Sequence, residues 1–302
     1  MKNHAFLNAA IGMLLLALLW DHGYSQQSRS IKDKLVITDS TQVQVLETTD
    51  GSTLIGRIVE VGENEIQFES QIGRTTIFIS NIKDIRQQPL SSMRQGEYWF
   101  PNPNATRLYI APTGRMLKAG DGYFTDVYLF FGGFSYGLTD QLTMGGGLSL
   151  FPGVPIDKQL WFLTPKMGVA LKENLSIAVG ALIIAIPDID DDIDSPLVGG
   201  VYGVGTYGSL DNNLTLGIGY GFADGDFAEK PVLIVGVQTR LARRLSFVSE
   251  NWILPGVDAE DPFVSYGLRF FGEKISIDLA FINSLTDGIF PGIPYIDFVF
   301  NF

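Results

Sequence analysis

The chain ends on a strict alternation, with Ile296, Phe298, Phe300 and Phe302 on one parity and Asp297, Val299 and Asn301 on the other. A period of two sends successive side chains to opposite faces of a strand. Similar alternation recurs from residue 105 to the end, broken by turn signals, which predicts a sheet rather than helices. Candidate strands begin near Thr106, Tyr123, Gln141, Leu160, Leu175, Leu197, Leu214, Val232, Leu245, Phe263, Ile275 and Tyr295.

An aromatic C-terminal residue closing the set Ile296, Phe298, Phe300 and Phe302 resembles the assembly signal of bacterial outer-membrane β-barrel proteins. The resemblance implies an all-β fold, a transmembrane antiparallel barrel surrounded by outer-membrane lipid, and the barrel-assembly machinery as a partner. The strand reading predicts about twelve strands, or ten if the first or an edge pair is miscounted. It places the barrel at residues 105–302.

The N-terminus fits export. Lys2 precedes an apolar run from Ala9 to Trp20, and the small residues Gly23 and Ser25 stand before Gln26, so residues 1–25 read as a cleaved signal peptide. A retained anchor is the other reading, but the run is short for a spanning helix. The chain has no cysteine, and both histidines, His4 and His22, fall within the expected signal. The mature protein would therefore lack thiol chemistry and any Ser–His nucleophile, as well as the usual zinc and copper ligands. No spacing of carboxylates and hydroxyls suggests a catalytic site, so no enzyme activity is expected. Losing Lys2 and Asp21 leaves 20 basic and 32 acidic residues, a net charge of −12, which argues against a nucleic-acid partner.

Residues 34–88 predict a small five-stranded β-barrel domain. Val43 and Val45 start one strand, Asp50-Gly51 turns, and Leu54 to Val61 form a second with Gly56 as a bulge or bend. Ile66 and Phe68, Ile77 and Ile79, then Ile82 and Ile85 supply the rest. The runs Asp50-Gly51-Ser52 and Gly56-Arg57-Ile58-Val59 resemble the first half of an Sm-like or SH3-like barrel. Self-association or a periplasmic protein partner is the role this implies, with a plain spacer as the alternative. Residues 89–104 read as a linker, with Tyr98-Trp99-Phe100 either in an interfacial girdle or simply packed within the linker.

Loop lengths orient the barrel. Thr139-Asp140, Lys172-Glu173-Asn174, Asp211-Asn212, Arg243-Arg244 and Gly272-Glu273-Lys274 are short, as periplasmic turns are. The long connections at 187–196, 223–229, 255–262 and 286–292 then face outward, and the small domain and C-terminus are periplasmic.

Parity sorts the wall. Leu214, Leu216, Ile218, Tyr220 and Phe222 point to lipid, as do Trp161, Leu163, Met167, Val169 and Leu171, with Pro165 breaking the ladder in that set. Inside fall Arg107, Lys166, Arg240, Glu250, Arg269, Asp278 and Asp297, with Arg240–Glu250, Arg269–Asp278 and Arg107–Asp297 as expected pairs. Such a charged set either fills the interior by mutual pairing or constricts a water-filled pore. Gly145, Gly147, Gly203, Gly205, Gly217, Gly219, Gly221 and Gly236 would leave space along the wall. The acidic loop offers Asp188, Asp190, Asp192 and Asp194 to Ca²⁺, a cation that prefers oxygen ligands, or is simply solvated. Otherwise no cofactor is expected. Two functions follow: a narrow pore or transport-type protein for small solutes with a charged lumen, or a structural anchor or adaptor whose periplasmic domain binds a partner.

Overall fold

A computed structural model describes residues 31–302 apart from 95–96, 188–195, 255–261 and 286–287. The expected signal peptide and the four aspartates of the acidic loop lie outside the described residues. The chain divides into two compact units, one ending at Trp99 and the other starting at Phe100.

The first unit is an antiparallel sheet with strand order β4-β3-β2-β1-β5, where β1 is Gln42–Thr48, β2 Thr53–Val61, β3 Glu65–Ser70, β4 Gly73–Phe78 and β5 Ile82–Pro89. Five strands form where five were expected. However, β4 and β5 are the two edges, and among the described residues no ladder joins them into a closed barrel. Ile79 sits in the 3-10 turn Ile79–Asn81, which links β4 to β5, rather than in a strand. Leu46, Ile58, Ile66, Phe68, Ile82 and Ile85 make the core. The bulge in β2 falls between Ile58 and Glu60, not at Gly56. Gly56 serves a different need, since a β-carbon there would lie 2.1 Å from the Glu69 carbonyl oxygen. Within this core Gln44 is fully buried. Its Oε1 accepts from the Ile58 amide at 2.6 Å and its Nε2 donates to the Val36 carbonyl at 2.7 Å. Gln44→Leu strands both backbone groups, and the loss should be about 1–3 kcal/mol, read as faster hydrogen exchange at the Ile58 amide in the intact chain.

The second unit is a closed antiparallel barrel. Its wall runs through Gly122–Val127, Phe131–Thr139, Leu142–Ser149, Trp161–Leu163 continued as Lys166–Lys172, Leu175–Ala185, Leu197–Gly208, Asn212–Ala223, Val232–Ala242, Leu245–Ile253, Phe263–Phe271, Ile275–Ser284 and Ile293–Asn301. The last of these pairs with the first, Phe300 opposite Phe124, which closes twelve strands. Closure matters because an open edge would leave unpaired N–H and C=O groups in hydrocarbon. Pro165 interrupts the fourth strand without shifting its register: Leu163 faces Gly146 before the break, and Lys166 faces Thr143 after it.

The number twelve is as expected, but its composition is not. Thr106 does not begin a strand; that stretch lies inside the barrel, and the wall starts at Gly122. The missing strand is Phe131–Thr139, joined to its predecessor by a tight turn through Tyr128, Leu129 and Phe130. Tyr128 and Leu129 both have positive φ, 57° and 65°, where Asn or Gly would normally stand. Tertiary contact holds the turn instead: the Tyr128 hydroxyl donates to the Pro294 carbonyl at 2.8 Å, and its ring meets Tyr295 edge-on at 5.6 Å.

Outside, parity holds. Met167, Val169 and Leu171, then Leu214, Leu216, Ile218 and Tyr220, then Ile296, Phe298 and Phe300 are all exposed. Strands of nine to twelve residues, such as Leu245–Ile253 and Leu197–Gly208, match the tilted length that spans hydrocarbon. A continuous apolar belt of this size has no place in water.

Candidate functional site

The interior is where structure departs most from the sequence pattern. Residues 101–121 enter the barrel from the end that carries Gly122 and Phe302, rise to mid-height and return. We call this segment the strap. Its tip is a tight turn in which the Leu108 amide donates to the Ala111 carbonyl at 2.8 Å, with Arg107 bridged to Pro112.

Three charged wall residues hold the strap, chiefly by its backbone. Glu250 Oε2 accepts from the amides of Tyr109, Ile110 and Ala111 at 2.8, 3.0 and 3.0 Å, while its Oε1 accepts from the Trp252 indole at 2.7 Å. Lys166 Nζ donates to the carbonyls of Thr106, Thr113 and Arg115 at 3.0, 3.3 and 2.7 Å. Arg269 donates to the carbonyls of Asn104 and Leu108 at 2.7 and 2.5 Å. On its other edge Arg269 forms a two-pronged pair with Asp278, both bonds 2.7 Å and neither side chain exposed. Charged groups thus stand in for the sheet or helix partners that an irregular segment lacks.

Two of the three expected ion pairs therefore form. Arg269–Asp278 is one; Arg107–Asp297, at 2.7 Å, is the other, although Arg107 sits on the strap rather than on a wall strand. Asp297 also accepts from the Tyr295 hydroxyl at 2.9 Å. The third pair does not form. Antiparallel register sets Glu250 opposite Gly236 and Arg240 opposite Ser246, so the two are too far apart along the wall. Arg240 instead pairs with Asp211 at 2.8 Å near the terminal end. There its guanidinium lies 5.0 Å from the Phe271 ring and donates to the Phe100 carbonyl at 2.9 Å. Phe100, an expected candidate for the girdle, is buried.

The wall glycines largely make room for the strap and for neighbouring side chains. A β-carbon on Gly236 would lie 2.0 Å from Leu108 Cδ1, one on Gly168 2.9 Å from Met116 Sδ, and one on Gly137 2.1 Å from the Lys118 carbonyl. Gly145 and Gly147 are crowded by Thr164 and Phe162. Gly203 and Gly205 contribute nothing to the interior: they pair with the exposed Val179 and Ile177, while Val204 and Thr206 between them are buried.

Above the strap the lumen stays open as a cavity of about 530 Å³. Thr106, Arg107, Ile110 and Pro112 of the strap line one end of it, together with Lys166 of the wall. Phe131, Phe162, Leu182, Ile184 and Trp252 are among its walls, and among the described residues no carboxylate lines it. Sequence reasoning missed this chamber because its boundary is the strap tip, a segment read as wall.

A closed barrel with an apolar outer belt and a polar junction inside is a transmembrane β-barrel of the bacterial outer-membrane type. No protein-family model matches the sequence, and no curated protein matches it. Among solved structures, it is similar to a loop L8 deletion mutant of OmpT, an outer membrane protein of Vibrio cholerae, at 9% identity and TM-score 0.35, covering 87% of this chain and 97% of that one. It is also similar to Salmonella typhi OmpF in complex with daunomycin, at 10% identity and TM-score 0.31, covering 86% and 96%. Likeness at this level carries no mechanism; the class rests on the barrel itself.

Proposed function

We propose that the protein is a transport-type barrel for small solutes, its lumen closed at rest by the strap, with the strap end and C-terminus in the periplasm. One observation carries this reading: the obstruction is a loop tethered by side-chain hydrogen bonds, not a layer of wall side chains. Tethers of this kind release without breaking the ladder that holds the barrel closed. The short turns at the terminal end support the orientation.

The absence of native cysteine allows a clean test. Leu108 Cγ lies 3.1 Å from the β-carbon that a side chain at 236 would carry. Cysteines at 108 and 236 therefore fall near the β-carbon separation of a disulfide, roughly 3.5–4.5 Å. In a planar bilayer the Leu108→Cys/Gly236→Cys protein should be silent when oxidised and show discrete conductance steps after reduction. Silence in both states, and in wild type, removes the gate.

The second reading is an anchor whose small periplasmic domain binds a partner or self-associates as an Sm-like or SH3-like barrel would. The pairing of Arg269 with Asp278 and of Arg107 with Asp297 favours it, because paired buried ions suit a filled interior. An anchor lacking residues 38–88 loses a partner in a pull-down, whereas a transporter lacking them keeps its conductance.

A further inference from the structure

The geometry points to the lumen cavity as a binding site for a single aliphatic chain with a carboxylate head, the head at the strap and the chain toward the loop end. This assignment rests on the transport reading for its purpose but not for its chemistry.

Size and shape come first. A volume of about 530 Å³ lies within the roughly 300–1,000 Å³ of small-molecule sites. Along one strand the lining runs from Lys166 to Leu160, which at about 3.3 Å per residue is roughly 20 Å. An apolar chamber that runs this far along the wall has room for an extended chain. Phe131, Phe162, Leu182, Ile184, Ile234 and Trp252 are among its walls, and burying hydrocarbon against them is favourable.

Polarity is concentrated at one end. Arg107 and Lys166 both line the chamber. Arg107 is balanced by Asp297, but Lys166 meets three carbonyls and no carboxylate. Glu250 is not part of the lining; its oxygens are taken by the strap amides and the Trp252 indole. An anionic head supplies what this end lacks, since charge-assisted hydrogen bonds are the strong ones.

The test uses the whole chain in nanodiscs with dibromostearic acid, whose bromines quench indole fluorescence on contact. One variant, Trp20→Phe/Trp99→Phe/Trp161→Phe, leaves Trp252 in the chamber wall. A second, Trp20→Phe/Trp99→Phe/Trp252→Phe, leaves Trp161, whose parity faces lipid. Trp252 should be quenched saturably, while Trp161 follows the linear partition of the acid into the bilayer. Gly221→Leu, at a lining position where a β-carbon meets nothing nearer than 3.7 Å, takes up part of the chamber and should weaken the saturable part while the barrel keeps its heat-modifiable gel mobility. The methyl ester should bind at least about tenfold more weakly than the acid. Trp252 quenching that tracks Trp161 overturns the site, and equal binding of acid and ester overturns the carboxylate head. Because the assay is an equilibrium one, saturable binding by a protein that never conducts removes the gate and keeps the site.

Discussion

Asp278→Ala is expected to lower the stability of the folded barrel by about 3–5 kcal/mol, the cost of stranding one member of a buried ion pair. Arg269 would remain in a site with no exposure, still bonded to the Asn104 and Leu108 carbonyls but without the carboxylate that balances its charge. Water has no route to it from the lipid side, where Leu268 and Phe270 lie on the outward parity of the same strand. The double replacement Arg269→Met/Asp278→Leu removes the charge together with its partner and should recover much of the loss in the wall. It cannot restore the two hydrogen bonds to the strap, so part of the deficit remains. Urea titration in lipid vesicles, read by gel mobility, compares the three proteins. A single variant as stable as wild type would mean that the pair contributes nothing to holding the wall and strap together.

Glu250→Ala is the change with the largest expected effect on the strap itself. It deprives three backbone amides and one indole N–H of their acceptor, and an unsatisfied buried donor costs about 1–3 kcal/mol. Ile110 at the tip is exposed toward the chamber, so water recovers part of this, and a net loss of about 3 kcal/mol is expected. The loss should appear as release of the strap, not as unfolding, because the twelve-strand ladder does not involve Glu250's side chain. At 1.4 kcal/mol per tenfold, the open population rises by roughly a hundredfold. Trypsin reports it directly: Arg107 and Arg115 on the strap should be cleaved about a hundred times faster than in wild type, provided that opening equilibrates before cleavage. Unchanged cleavage with intact gel mobility would show that Lys166 and Arg269 suffice to hold the strap. Open steps in a bilayer accompanying faster cleavage would tie the strap to conductance.

Much of this architecture was legible because a strand has the simplest of periods. Alternation alone separated Leu214, Leu216, Ile218 and Tyr220 from Thr215 and placed Lys166, Glu250, Arg269, Asp278 and Asp297 on the inner face. Burial in hydrocarbon demands that pattern of every strand, so it repeats with few exceptions. The pair Arg269–Asp278 was legible for the same reason, both residues being inward on adjacent strands joined by a short turn. Arg240 and Glu250 looked equally good, yet the register sets Arg240 opposite Ser246, four residues from Glu250; the bulge between Arg240 and Ala242, which has no marker in the sequence, accounts for one residue of that offset. The turn at Tyr128 and Leu129 was invisible because its positive φ values are stabilised by contacts with Pro294 and Tyr295, more than 160 residues away.

By itself, the sequence determined the all-β pattern of residues 105–302: apolar faces repeat there at a period of two, with no apolar segment of helix-spanning length. Only the tertiary structure decided what fills the barrel. The strap is held mostly through its own amides and carbonyls, which every residue carries and no side-chain pattern advertises. Its grip therefore shows only once Glu250, Lys166 and Arg269 are seen to converge on it from three different strands, leaving the chamber above.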